Sequence, residues 1–390
     1  MRRALLVGSN FSALPLLNAL KKRGIEVSVC GNRPDEVCHK AADRSFFVDY
    51  SDAGQLAKLV REERFDFLVP TGNDCSYRVS ARVAGQFGFA GFDNDRITEI
   101  IHTKGAFRQA CLTAGLRIPG FDVVEGAGPA PDLPFPLIVK PVNSYSGQGV
   151  SKVENRKELE GALKKVFDQP GTEEAIVEEF FDGSLHSHSA FIRDRKIFLD
   201  FFVDEFCTVY PYQVNCSNHP SGLSGQIRNS IREQIERLAA SLELGDGLLH
   251  TQFLVDAGGD FRIVEAMRRC PGDLFGSLVE RSTGIDYADW FVRPFLGEEY
   301  PELAEKGECE FWARHTLSAD MSQLNFSFTH DLPVSAQEIV ALQSNGYALS
   351  AAPYGKTALL FMKFPDLEQL LLLTPVLAKR VKLKAVEEMK

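Results

Sequence analysis

Over the first 95 residues, short apolar runs alternate with amphipathic ones, and that alternation leaves few folds open. "RALLVGSN" is a buried-strand run ending in a small polar turn, and "SALPLLNALKKRG" follows with helical spacing and a glycine stop. "VSVCGN", "SFFVDY" and "FDFLVPTGND" are further short strands, with "AGQLAKLVREER" an amphipathic helix between two of them. Strands separated by helices of that length predict a parallel, doubly wound sheet. The polar tips "GSN" (8–10) and "TGND" (71–74) then fall at strand C-termini, where such sheets bind ligands. "GSN" lacks the GxGxxG spacing, so a dinucleotide fingerprint is not supported.

Composition narrows the class. A chain of 390 residues with 44% hydrophobic content predicts two to three domains. Its formal net charge is −10 and it has no long basic run, which disfavours nucleic acid as a primary partner. The first apolar run is too short for a signal peptide, and no stretch of about 18 apolar residues exists to cross a membrane. Eight cysteines are scattered without a CxxC pair, against both a zinc site and a disulfide framework. A reduced, cytoplasmic, soluble protein is expected.

Further along, 96–118 reads as a helical stretch containing Lys104, and the Pro-rich "GPAPDLPFP" as a loop before the strand "PLIVKP". Residues 136–190 read as strand, Ser/Gly loop, strand, helix, strand. A long helix in "SGLSGQIRNSIREQIERLAASLELG" precedes a hairpin at 250–266, and a smaller α+β segment begins near 305.

Four stretches carry chemistry. In the hairpin, "HTQFLV" and "FRIVEAM" flank "DAGGD". A four-residue loop at 257–260 would make Asp256 face Phe261 and place Gln252 opposite Glu265, side chains on one face. Two converging oxygen ligands suit Mg²⁺, whose shell phosphate and water complete; an exposed Gln–Glu polar pair is the plainer alternative. Arg269, four residues on, could grip a phosphate or carboxylate bidentately. In "KPVNSYSGQGVSKV" (140–153), Lys140 ends a strand before a loop able to fold its N–H groups around phosphates, though Gly-rich hairpin tips are common. Residues 143–149 read as a mobile lid. In "AIVEEFFDGSLHSH" (175–188), Phe180 and Phe181 could wall an adenine, or be core residues; His186 alone reads as an ordinary polar side chain. Lys104 alone reads as a solvated helix lysine. Cys75 and Cys270 read as structural thiols.

The order of these four stretches, followed by "VEAMRR", resembles the ATP-grasp superfamily over roughly residues 1–300, and most of all its carboxylate–amine ligase branch, which includes L-amino-acid ligases. "TKGAFR…AGLRIP" is similar to that family's "DKxxxR…G…P", with Thr103 in place of the usual Asp. "RRCPGDLFGSLVERSTGIDY" is similar to the run after the metal-binding Glu, and "CHKAADRSFFVDYSD" fits the N-terminal pattern. The resemblance implies an ATP-grasp fold of α/β and α+β parts. These are a doubly wound pre-ATP-grasp domain at 1–95, an ATP-grasp domain at 96–304 with a lid subdomain at about 118–190, and a small α+β domain at 305–390. It implies that Lys104 and Lys140 contact ATP phosphates, and that Ser146, Gly147, Gln148 and Gly149 form the lid loop. Glu178, Glu179, Phe180 and Phe181 would be the adenine hinge, and His186 would reach the ribose. Gln252 and Glu265 would hold Mg²⁺, with Mn²⁺ as the other candidate ion, and Arg269 would stabilise an acyl phosphate. Many relatives carry Glu at the place of Gln252 and some branches carry Gln, and Met267 stands where Asn often does.

The implied activity is an ADP-forming ligase that joins a small carboxylate, such as an amino acid, to an amine. A carboxylate lacks a leaving group, so ATP must first convert it to an acyl phosphate, with lysines, cation and Arg269 neutralising the transferring phosphoryl group. Small molecules are the expected partners, without nucleic acid or membrane, and a homodimer is allowed. The alternatives are an ATP-grasp enzyme activating bicarbonate or a purine precursor, and an ATP-binding scaffold without turnover.

Overall fold

The protein is described from a computed structural model covering residues 1–126, 128, 131–142, 147–302, 308–319, 326–344, 346 and 348–385. Its N-terminal part runs β1 (Arg3–Val7), α1 (Leu14–Lys22), β2 (Glu26–Cys30), α2 (Val37–Ala41), β3 (Arg44–Phe46), α3 (Ala53–Glu63), β4 (Phe67–Pro70) and α4 (Asp74–Phe87). The four strands form a parallel sheet in the order β3-β2-β1-β4. Both faces are covered, which is why β1 is apolar from Ala4 to Val7. Ala4 and Leu6 pack with Leu16, Leu17 and Leu20 of α1. Leu5 and Val7 pack on the other side with Leu56 and Val60 of α3 and Val83 of α4.

The stretch expected as one helix at 96–118 is two: α5 (Asp95–His102) and α6 (Lys104–Thr113). Thr103 leaves the helical region at φ −108°, ψ 118°, and this break makes Lys104 the first residue of α6. A cation there opposes the helix dipole, so helix stability does not explain it.

The next unit contains β5 (Phe121–Glu125), β6 (Leu137–Pro141), β7 (Ser151–Val153), α7 (Arg156–Phe167) and β8 (Glu174–Glu179). Its antiparallel sheet, β5-β8-β6-β7, buries Val139 and Val177 against Leu159, Leu163 and Val166 of α7.

A larger antiparallel sheet follows, built from β9 (Ser184–Arg193), β10 (Lys196–Phe206), β11 (Cys216–His219), α8 (Gly225–Ser241), β12 (Gly247–Val255), β13 (Phe261–Met267), α9 (Phe275–Thr283), α10 (Tyr287–Val292) and β14 (Trp312–Leu317). Then come β15 (Phe326–Thr329), β16 (Ala336–Ala341), β17 (Ala358–Lys363), α11 (Leu367–Leu373), α12 (Leu377–Arg380) and β18 (Lys382–Ala385). Eight strands join in the order β13-β12-β9-β10-β11-β14-β17-β16, while β15 pairs with β18. The segment from 305 onward therefore shares this sheet through the β11–β14 ladder. One face of β9, β10 and β12 is sealed by Ile231, Ile235 and Leu238 of α8. At the β9–β12–β13 end, the opposite face opens to the cavity described next.

Candidate active site

The hairpin brings Gln252 and Glu265 opposite each other, by a different route from the one expected. The turn spans 256–260, with the Asp256 N–H donating to the Asp260 carbonyl at 2.9 Å, so Phe261 pairs with Val255 and not with Asp256. One extra residue in β13 then makes up the difference: the register shifts between Gln252 and Phe253, leaving Val264 as the bulge. Val264 and Glu265 consequently both line the cavity, although neighbours on a regular strand would point apart. The bulge also frees the Val264 carbonyl to accept from Arg108 Nη2 at 2.6 Å. Beyond it the alternation resumes. Arg268 is buried on Asp93 at 2.7 Å, and Arg269 lines the cavity.

A second group faces this pair. Lys140 donates to Glu178 at 2.5 Å, and Arg108 donates to the same carboxylate through Nε, also at 2.5 Å. Glu178 is only 1% exposed. Burial works to raise its carboxyl, but Lys140 and Arg108 prevail and hold it at about 2. Glu178 is therefore an anion that positions two cations, a role for its side chain that the expected hinge did not include. Lys104 Nζ donates to the Val142 carbonyl at 2.9 Å. Burial pushes its ammonium down, partly offset by Glu265, with Lys140 adding to the depression. Lys104, Lys140, Gln252, Glu265 and Arg269 all line one cavity of about 1350 Å³.

Glu178, Glu179, Phe180 and Phe181 line it too. Each aromatic ring carries a cation: Lys152 Nζ lies 4.1 Å from the Phe180 centroid, and the Arg262 guanidinium 4.9 Å from that of Phe181. The N–H groups of Glu179 and Phe180 already donate to Gly120 and Pro136 carbonyls, so other backbone groups of this turn would have to read a base. At the loop tip Gly147 reaches the cavity, with φ +71° and an added Cβ only 2.5 Å from the Tyr212 carbonyl oxygen; no other residue fits there. Gln148 and Gly149 are not among the lining residues. Ser146, and most of the expected lid at 143–149, lie outside the described residues.

His186 does not join the site. Residues 185, 187 and 189 of β9 pair with Leu254, Gln252 and His250 of β12, so the even-numbered side chains go to the α8 side. Both ring nitrogens of His186 are engaged, one with Ser184 Oγ at 2.7 Å and the other with Asp204 Oδ1 at 2.8 Å. The ring stacks on Phe253.

Sequence reading missed several cavity residues. Asp74, the first residue of α4 at the "TGND" tip, accepts from Arg269 Nε and Nη2, both at 2.9 Å. It also bonds His102 Nδ1 at 3.0 Å. Burial opposes its ionisation, but Arg269 and His102 hold its carboxyl well below the usual range. Glu205, His250 and Arg314 also line the cavity, and all three are buried. Burial raises the thiols of Cys75 and Cys270, in keeping with a structural role for both.

Gln252 and Glu265 fit a divalent cation that brings its remaining ligands with it: two protein oxygens on one face, opening towards two lysines. Among the described residues no cluster of three or more His, Cys, Asp or Glu side chains could hold a metal alone. That pattern suits Mg²⁺ carried by nucleotide phosphates.

The ATP-grasp domain family matches residues 133–275, a span that includes the hinge, the hairpin and Arg269. The chain carries an ATP-grasp domain. Formate-dependent phosphoribosylglycinamide formyltransferase of Prochlorococcus marinus is 25% identical over 315 residues, 78% of each chain. The enzyme of that name from Nitratiruptor is 28% identical over 186 residues, 46% of this chain and 47% of the other. Among solved structures, the L-amino acid ligase from Bacillus licheniformis superposes with a TM-score of 0.82 at 18% identity, covering 99% of both chains. Phosphoribosylglycinamide synthetase from Anaerococcus prevotii gives 0.78 at 16%, covering 98% of this chain and 99% of the other. These likenesses show that the chain shares their fold, with α/β and α+β parts as expected. No helix among the described residues is long and apolar enough to cross a membrane.

Proposed function

We propose that this ATP-grasp enzyme is an ADP-forming ligase that activates a small carboxylate as an acyl phosphate and passes the acyl group to an amine. One observation carries the reading: a single cavity joins the cation-lined sheet face to the tips of the parallel sheet, and Arg269 stands at the junction. Lys104 and Lys140 would bind the ATP phosphates, Glu178 would position Lys140 and Arg108, and the 179–181 turn with its aromatics would take the base. Gln252 and Glu265 would hold Mg²⁺, which when bound polarises the phosphates. Arg269 would neutralise the charge arriving on the acid as the phosphoryl group transfers. The amine would enter from the side of Asn73 and Asp74. In this reading residues 1–95, 96–304 and 305–390 are the functional units, with about 118–190 closing over the nucleotide and excluding water.

The test is ADP and phosphate release with ATP and Mg²⁺ against a panel of acids, each alone and with amines. Amino acids carry the first expectation. Formate belongs in the panel because the Prochlorococcus and Nitratiruptor relatives are formate-dependent by name, and bicarbonate because it is the substrate of the alternative reading. Release that requires both an acid and an amine supports the ligase. ATP binding without turnover on any pair would leave the scaffold.

A further inference from the structure

Gln252, expected as a cation ligand, has a side-chain partner of its own in the structure. Gln252 Nε2 donates to Glu205 Oε2 at 2.5 Å. The two residues are not on adjacent strands: Gln252 is on β12, Glu205 on β10, and β9 runs between them. Gln252 pairs with Ser187 of β9, and Glu205 with the adjacent cavity-facing residue, Leu185. The contact spans the middle strand over Ser187, whose small side chain is fully buried beneath it. A larger residue at 187 would keep the two apart.

We infer that Glu205 is a positioning residue that takes the amide nitrogen of Gln252 and so leaves the amide oxygen for the divalent cation. A carboxylate can only accept, so the end of the amide that meets it must be the NH₂ end. Without that partner the amide could present either end to the cavity, and the NH₂ end repels a cation. Glu205 also accounts for the amide itself. A glutamate at 252 would stand between the carboxylates of Glu205 and Glu265, three like charges on one sheet face. With glutamine there, Glu205 sits one side chain further from the cation. Outer partners of this kind typically change metal affinity by about 10- to 100-fold when removed.

The inference rests on Gln252 and Glu265 being the cation ligands, and the experiment separates the two. The probe is Mn²⁺, titrated by electron paramagnetic resonance into protein saturated with a non-hydrolysable ATP analogue; thermal unfolding without metal is the second readout. Glu205→Ala should raise the Mn²⁺ dissociation constant about tenfold or more. Glu205→Gln, whose carbonyl oxygen can still accept, should raise it less. Gln252→Glu alone should lower the metal-free melting temperature by crowding carboxylates. The exchanged pair, Glu205→Gln with Gln252→Glu, restores a single amide-to-carboxylate bond, and should recover both the melting temperature and the Mn²⁺ affinity to within several-fold of wild type. An exchanged pair no better than Gln252→Glu alone overturns the inference, as does wild-type Mn²⁺ affinity in Glu205→Ala while Glu265→Gln binds poorly. If Glu265→Gln itself binds Mn²⁺ as wild type does, the cation reading falls and this inference falls with it.

Discussion

Glu178 shows how one buried residue sets the charge balance on the Lys140 and Arg108 side of the cavity. Its two partners would repel each other without it, and it would be costly without them. Removing the carboxylate alone, as in Glu178→Gln, should destabilise the protein by about 3–5 kcal/mol at neutral pH. The pH dependence follows from the sign of the shift. The folded-state pKa, about 2, lies below the ordinary value of 4.5. The contribution is therefore fully present above about pH 4.5 and disappears as the pH falls towards 2. Urea unfolding from pH 7 to 3 should show the gap between wild type and Glu178→Gln narrowing on the acid side; a constant gap would mean that the ion pairs are not its source. Glu265 differs, because it is only half-buried. Glu265→Gln should keep the melting temperature within a few degrees and lower kcat by about 10²-fold or more at saturating ATP and Mg²⁺. Wild-type turnover in that variant would remove it from the cation site.

Strand alternation explains both what could be read in advance and what could not. The period of two put Gln252 and Glu265 on one face because both lie on a hairpin closed by a visible Gly-Gly turn. The bulge at Val264 was not legible: apolar Val264 looks regular, and only the partner strand reveals that two residues oppose one. The expected turn was one residue too short, and the bulge restored the pairing that the assumed register had given. Glu205 was missed because two strands joined by chain-distant turns bring it to Gln252, a juxtaposition that no local pattern encodes. His186 failed for the opposite reason. Its position after the hinge suggested a ribose contact, but the β9 register sends it to the α8 side, where Asp204 and Phe253 hold it. Among the N-terminal elements α4 went unread, so the "TGND" tip was legible as a ligand-binding position without Asp74 being singled out; the strand and helix alternation around it was plain. The β9 register makes its own prediction. His186→Ala should lower stability by about 1–3 kcal/mol through the buried partner it leaves on Asp204, while ATP affinity measured by calorimetry stays within twofold. A tenfold loss of ATP affinity at unchanged stability would return His186 to the nucleotide.

On the scale of the whole molecule, the site is assembled from parts that cannot act separately. The large sheet presents Arg269, but the parallel sheet supplies the carboxylate that orients it, through the N-terminal end of α4 where a negative charge is favoured. Asp74 occupies the Nε and Nη2 edge of the guanidinium, so the plane of the fork is set before substrate arrives. A nucleotide-binding scaffold needs no such arrangement, since Lys104, Lys140 and the 179–181 turn can supply affinity without it. A ligase needs a fixed cation where the acyl phosphate forms, because negative charge is carried there during transfer. Arg269→Ala should therefore leave ATP binding within several-fold, while acid-dependent ADP formation falls by about 10²-fold or more. Arg269→Lys should recover little, because a single ammonium cannot pair with Asp74 through two parallel bonds and still meet the substrate. Asp74→Asn should share the defect in part, lowering turnover without weakening ATP binding. Hydroxylamine can replace the amine and trap the activated acid as a hydroxamate, so the same variants can be read at the activation step alone. Loss of hydroxamate in Arg269→Ala places Arg269 at acyl-phosphate formation. Undiminished hydroxamate with loss of the amide product would move its role to the second half of the reaction, where the amine attacks.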